Sequence, residues 1–243
     1  MNNTRALLPI LRTIFSALAI GIAVSACAQG ALAGADSWKE EVLLHDGQKI
    51  IVERSQTYAG SRDIGQSVPV GQHTIMFTPP NANSKISWTS EYGEDVGRTN
   101  FNLLALHIKQ GIPYLVTEPN LCLSYNKWGR PNPPYVFFRH DGSTWQRVQL
   151  ADVPIEFKAI NLIVNTGRLL DIREGSKATG YVPFESVQKI NKDLRAPEVK
   201  TILREPMTKE RILDMCRELM LYKGMWIGPG DSIGKRMLDG QSK

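Results

Sequence analysis

From Trp38 to about Val148 the apolar residues come in short runs rich in β-branched and aromatic side chains, each broken by turn-forming residues. WKEEVLL and KIIVER flank Asp46-Gly47; TIMFT and KISWT flank PPNANS; FNLLALHI and PYLVT flank KQGI; YVFFRH and TWQRV flank Asp141-Gly142. Runs of this length joined by turn chemistry read as hairpins, and four in succession predict an antiparallel β-meander closed as a sandwich or a barrel-like sheet. No period is regular enough for the blades of a propeller.

The tripeptide His-Asp-Gly occurs twice, at His45 and at His140, and could be taken for two parts of a catalytic site. Geometry argues for turns. Asp-Gly suits the centre of a two-residue hairpin loop, where both residues need positive φ. With those loops His45 would face Gln48 and Leu43 would face Ile50, while His140 would face Ser143 and Phe138 would meet Trp145 across the strands. Catalysis needs the imidazole and carboxylate to converge on one proton, and neighbouring strand residues point to opposite faces.

Beyond Val148 the pattern changes. ADVPIEFKAINLIVN reads as an edge strand or a transition, and GRLLDIREGSKATGYVPF carries further strand and loop signals. In FESVQKINKDL, Val187, Ile190 and Leu194 recur at three and four residues, which predicts a short helix. In TKERILDMCRELMLY, Ile212, Met215, Cys216 and Leu219 form one apolar face behind Thr208 as N-cap, which predicts a longer helix packing on the sheet. The tail from Gly228 onward is expected to be loosely ordered.

The beginning of the chain has a different character. Met1 to Thr13 holds Arg5 and Arg12 and no acid, and Ile14 to Ala26 runs IFSALAIGIAVSA without a charge. This is the n-region and h-region of an export signal, too short for the roughly 20 apolar residues of a membrane span. VSAC, Val24 to Cys27, resembles the lipobox of bacterial lipoproteins; ACA and ALA, at 26–28 and 31–33, both satisfy the small-x-small rule for cleavage without lipid, which would give a soluble periplasmic or secreted protein. The lipoprotein resemblance implies that Cys27 becomes an acylated amino terminus, several chains holding where a single one would bind weakly. With Ala28 where that family's inner-membrane retention signal has aspartate, it also implies the outer membrane of a Gram-negative cell. AQGALAGADS would serve as a short tether.

The expected organisation is therefore a leader over 1–26, a tether over 27–37, a β domain over 38–180 and a helical portion over 181–243, a mainly β, α+β fold. The 243 residues, 42% of them hydrophobic, suffice for a core. The formal charge of +5 loses Arg5 and Arg12 with the leader, leaving +3, too mild to imply nucleic acid. Three cysteines are an awkward number for an exported protein. Acylation of Cys27 leaves Cys122 and Cys216, which either form a disulfide or leave Cys216 as a small buried hydrophobe.

Chemical motifs are sparse. His45, His73, His107 and His140 lack zinc-ligand spacing, so no metal or other cofactor is implied. Glu91, Glu94 and Asp95 gather in EYGEDVG without the ligand order of a calcium loop. There is no GxSxG elbow, SxxK motif or phosphate loop. YNKWGRPNPPYVFFRHDGSTWQR interleaves aromatics with arginines, and within it Trp128 and Arg130, in a proline-rich loop, are the candidate binding surface. WKEEVLLHDGQKIIVERS and WGRPNPPYVFFRHDG resemble exported proteins of Gram-negative bacteria that carry no assigned activity. The expectation is a lipid-anchored envelope module that binds or scaffolds an envelope protein or an anionic glycan. Its rivals are an envelope hydrolase acting on glycan or peptide, betrayed by two carboxylates, or a histidine and a nucleophile, converging in a pocket, and a periplasmic immunity or inhibitor protein.

Overall fold

The computed structural model describes residues 35–62 and 64–240; the leader, Cys27 and most of the tether lie outside them. Among the described residues the fold is mainly β with five α-helices, a sandwich-like α+β structure. The first sheet is an antiparallel meander of β1 (Ala35–Leu43), β2 (Lys49–Tyr58), β3 (Val70–Phe77) and β4 (Ile86–Thr89). A small ribbon, β5 (Tyr92–Gly93) and β6 (Arg98–Thr99), leads into the second sheet. That sheet is also a meander, of β7 (Phe101–Lys109), β8 (Ile112–Pro119), β9 (Val136–His140) and β10 (Trp145–Val148), with helix α1 (Leu121–Lys127) between β8 and β9. All four expected hairpins are present.

The inner faces of the two sheets share one core. Val42, Val52, Ile75, Phe77 and Trp88 come from the first, Phe101, Leu103, Leu106, Leu115 and Val136 from the second. The alternation in β1 to β3, with every second residue enclosed, is that of sheets with one wetted face. β7 behaves differently, since every residue from Leu103 to Ile108 is buried. A register shift between Leu103 and Ala105 lets Phe101 and Leu103, then Leu106 and Ile108, face the same core. Leu104 and Ala105 join Tyr114, Val116, Tyr135 and Phe137 in a second cluster on the outer face, covered by Val153, Phe157 and Ile202. A continuous apolar run is what a strand buried on both faces requires.

The covering segment, 150–166, is irregular rather than an edge strand, with a single antiparallel bridge between Ala159 and Thr201. Asn161 fixes it by imitating backbone: its Oδ1 accepts from Leu106 N (2.9 Å), and its Nδ2 donates to Leu106 O (2.8 Å) and Leu43 O (2.9 Å). One side chain thereby ties β1 to β7. Helices α2 (Leu169–Ser176) and α3 (Phe184–Asn191) pack Ile172, Val187 and Ile190 against Trp38. Between them Val182 makes a parallel bridge with β1, donating to Lys39 O and accepting from Glu41 N, both at 2.8 Å. Helix α2 thus precedes residue 181, where the sequence pattern placed the start of the helical portion.

Several expectations change. Both HDG stretches are turns, but neither has Asp-Gly as a two-residue centre. In the first, Leu44 N donates to Gln48 O (2.8 Å) and Leu43 faces Lys49, so His45, Asp46 and Gly47 form a three-residue loop with Gly47 at φ +87°. In the second, Asp141 pairs with Thr144 (N to O, 3.0 Å), leaving Gly142-Ser143 as the loop. Asp141 Oδ1 accepts from Ser143 N and Thr144 N and closes the turn from outside its centre. Trp145 therefore faces His140, not Phe138. Beyond residue 208 the long helix is only α4 (Lys209–Met215), capped by Thr208 and ended by Cys216 in extended conformation. A hairpin of β11 (Met220–Tyr222) and β12 (Met225–Ile227) follows, and the supposedly loose tail forms α5 (Ser232–Gly240). Helices α1 and α2 were not legible as helices, the first being a single short element that opens on Leu121 at φ +61°.

Candidate functional site

Cys122, in α1, and Cys216, at the end of α4, form a disulfide with Cα atoms 5.2 Å apart. The link brings two segments 94 residues apart in sequence to one place at the end of the second sheet. Arg130 lies there too, with its guanidinium engaged within the chain. Its Nη2 donates to Cys216 O (2.8 Å), its Nη1 to Arg217 O (3.0 Å) and to Asn126 Oδ1 (3.0 Å), and its guanidinium stacks over Tyr125. Asn126 completes the clasp by accepting from Leu219 N at 2.8 Å. The candidate surface residue thus holds the chain beyond α4 against α1. Trp128, the C-cap of α1, packs half-buried on Phe101 with Arg147 over its ring, beside a shallow groove of about 240 Å3.

Behind the clasp is a pocket of about 440 Å3 that sequence reasoning missed. Its apolar lining includes Pro119, Leu121, Val199 and Met215, and the disulfide forms part of its wall; its polar lining is Asn102, Glu118, Tyr125 and Glu198. A mostly apolar cavity of this size with a few convergent polar groups is the usual form of a small-molecule site, typically about 300–1,000 Å3. Glu118 reaches it from β8, where it shares the outer face with Tyr114 and Val116. Glu198 reaches it from a 3-10 turn, Pro197–Val199, laid across that face. Tyr135 fixes the turn: its hydroxyl donates toward Glu198 O (2.8 Å) or Thr201 O (3.0 Å) and accepts from Leu203 N (3.2 Å).

The electrostatics of the two acids differ. Glu198 Oε1 accepts from Arg211 Nη2 at 2.8 Å, while Oε2 is enclosed with no partner in a side chain that is almost wholly buried. Glu118 Oε1 accepts from Asn102 Nδ2 at 3.2 Å, and no protein group bonds its second oxygen among the described residues. Burial pushes the Glu118 carboxyl up to about 7; the Asn102 hydrogen bond opposes that rise and the nearby Glu198 charge adds to it. Burial also raises the Tyr125 hydroxyl, which has no partner although the residue is only 3% exposed. Two enclosed polar atoms without partners thus belong to residues in the walls of one pocket.

A second pocket, of about 420 Å3, has Arg54 in its lining, whose Nε and Nη2 are likewise enclosed without partners. A larger open groove of about 770 Å3 runs past Lys85, Arg139, His140 and Trp145 at the hairpin tips, but Lys85 is paired with Glu53 at 3.1 Å and no enclosed orphan atom faces it. In neither HDG turn does the histidine bond its aspartate: His140 Nδ1 accepts from Gly142 N, and His45 packs on Phe157. His107 stacks on the same phenylalanine and meets Ala159 O at 2.9 Å. Asp95, from the acidic loop, pairs with Lys127. Among the described residues no three His, Cys, Asp or Glu side chains gather as a metal site, and no helix is long and apolar enough to cross a membrane.

A period-2 reading of PYLVTEP would have put Glu118 on the face of Tyr114 and Val116, but only knowledge of the covering turn shows that this face is buried. Comparison with protein-family models, curated proteins and solved structures yields no match for this chain.

Proposed function

We propose that the protein is an exported, lipid-anchored module of the cell envelope that binds a small ligand in the pocket between β8, α1 and the 197–199 turn. One observation carries the binding part: Glu118, Glu198 and Tyr125 converge on an otherwise apolar cavity, with two enclosed polar atoms unpartnered. The address rests on the charge-free run before Cys27 and on the lipobox-like VSAC. A fragment mixture titrated into isotopically labelled protein tests the pocket. Resonances of Glu118, Leu121 and Val199 are expected to move, and Leu121→Trp, at an exposed lining position, is expected to suppress the effect. Shifts confined to other surfaces refute the assignment. Intact mass from a native host tests the anchor, with an unmodified Cys27 or a later amino terminus counting against it.

A second reading, hydrolysis of envelope glycan, is favoured by the paired carboxylates, one poised to hold a proton near neutrality. Against it, Glu198 has one oxygen tied to Arg211 and the other enclosed, which leaves no open oxygen to activate water or attack a sugar. Turnover of chromogenic glycosides that disappears in Glu118→Gln would favour hydrolysis over binding.

A further inference from the structure

The pocket's charged lining is acidic, and the cations near it are engaged. Arg211 is bonded to Glu198 Oε1, and the Arg130 guanidinium is turned to the carbonyls of Cys216 and Arg217. Glu118 keeps one oxygen without a protein partner, whereas the Glu198 Oε2 and the Tyr125 hydroxyl are enclosed in the wall. An anionic ligand would meet the like charge of a carboxylate, and a neutral hydroxyl would bring one donor and no charge. An ammonium group brings three donors and a positive charge to the open Glu118 oxygen. Leu121, Val199 and Met215 offer its body an apolar surface.

We propose that the pocket takes a small organic cation of the alkylammonium class, its charged head received by Glu118 and its alkyl chain lying against Leu121, Val199 and Met215. This rests on the ligand-binding reading above. Glu118 is faced by Asn102 from β7, Tyr135 from β9 and Glu198 with its ion-pair partner Arg211, and Tyr125 from α1 lines the same pocket. Because Glu118 holds its proton up to about pH 7, a cation must displace that proton at lower pH. Affinity then falls roughly tenfold per pH unit below 7.

The test is calorimetric titration of the full chain with octylammonium, octanol and octanoate at pH 8 and pH 6. Octylammonium is expected to bind at least tenfold tighter than octanol, octanoate more weakly still, and the preference to shrink at pH 6. Glu118→Gln should abolish the preference for octylammonium over octanol, whereas Leu121→Trp should weaken all three probes. Equal or tighter binding of octanol or octanoate overturns the cation inference and leaves the pocket reading standing. Absence of binding by all three overturns the inference, and with a silent fragment titration it overturns the pocket reading as well.

Discussion

The carboxylate of Glu40 meets the guanidinium of Arg54 at 2.9 Å, with both side chains fully enclosed on the inner face of the first sheet. Glu40 is well answered: Trp38 Nε1 donates at 2.6 Å and Ile163 N at 3.2 Å. Arg54 is not, because its Nε and Nη2 have no partner. Glu40→Ala would strand a buried cation, and a loss of about 3–5 kcal/mol is expected by urea denaturation. Replacing both residues by apolar ones should recover most of that loss, since the pair's attraction is offset by its desolvation.

Glu118 links stability to pH. Its folded value of about 7 lies above the ordinary carboxyl value, so between about pH 4.5 and 7 the folded protein holds a proton that the unfolded chain releases. Stability from this group is present at low pH and is lost as pH rises through 7. Glu118→Gln should therefore raise the stability measured by urea denaturation above pH 7, by on the order of 2 kcal/mol, and change it little near pH 4.5.

Two histidines act in the opposite sense. Burial lowers His73 to about 3, aided by repulsion from Arg54, and lowers His107 to about 4. Below about pH 6.5 the unfolded chain binds protons that these sites refuse, so their contribution is present above 6.5 and drains away toward pH 4. Two such groups outweigh Glu118, and net stability should fall on acidification. His107→Gln keeps an amide donor for Ala159 O and does not titrate; it should flatten the acid limb of midpoint against pH.

Arg130→Ala should free the chain after α4. It removes hydrogen bonds to Cys216 O and Arg217 O and the stack on Tyr125, which together amount to about 2–3 kcal/mol of local stability. Hydrogen exchange at Leu219 and the following hairpin is the readout, with faster exchange there and little change in β7 and β8.

Cys122→Ser or Cys216→Ser should lower global stability by up to about 4–5 kcal/mol, because the link closes a 94-residue separation. Each single variant and the double variant should show the same urea midpoint. Thiol labelling of unfolded, unreduced protein should find neither sulfur.

How much of this was legible follows from which forces are local. The hairpins, α3 and the start of α4 are set by neighbours in sequence, through alternation, turn residues and the Thr208 cap, and these could be read. The exact loop of each HDG turn could not, because it depends on whether aspartate occupies the turn or closes it with its side chain. Arg130 looked like a surface group from its loop; the carbonyls it binds are more than eighty residues away. The pocket was least legible, since Glu118, Tyr125 and Glu198 come from a strand, a short helix and a turn laid over the sheet, and none sits in a motif. Cys122 and Cys216 were weighed as a pair on arithmetic alone, which carried no hint that they also wall a cavity.

Val182 has a bearing on how copies of the molecule coexist. β1 is the last strand of its sheet, and a bare last strand invites another molecule to stack alongside it and propagate into fibrous aggregates. By occupying the Lys39 carbonyl and the Glu41 amide, Val182 withdraws that invitation along the middle of the strand. Copies of the chain can then lie side by side without polymerising through the middle of β1.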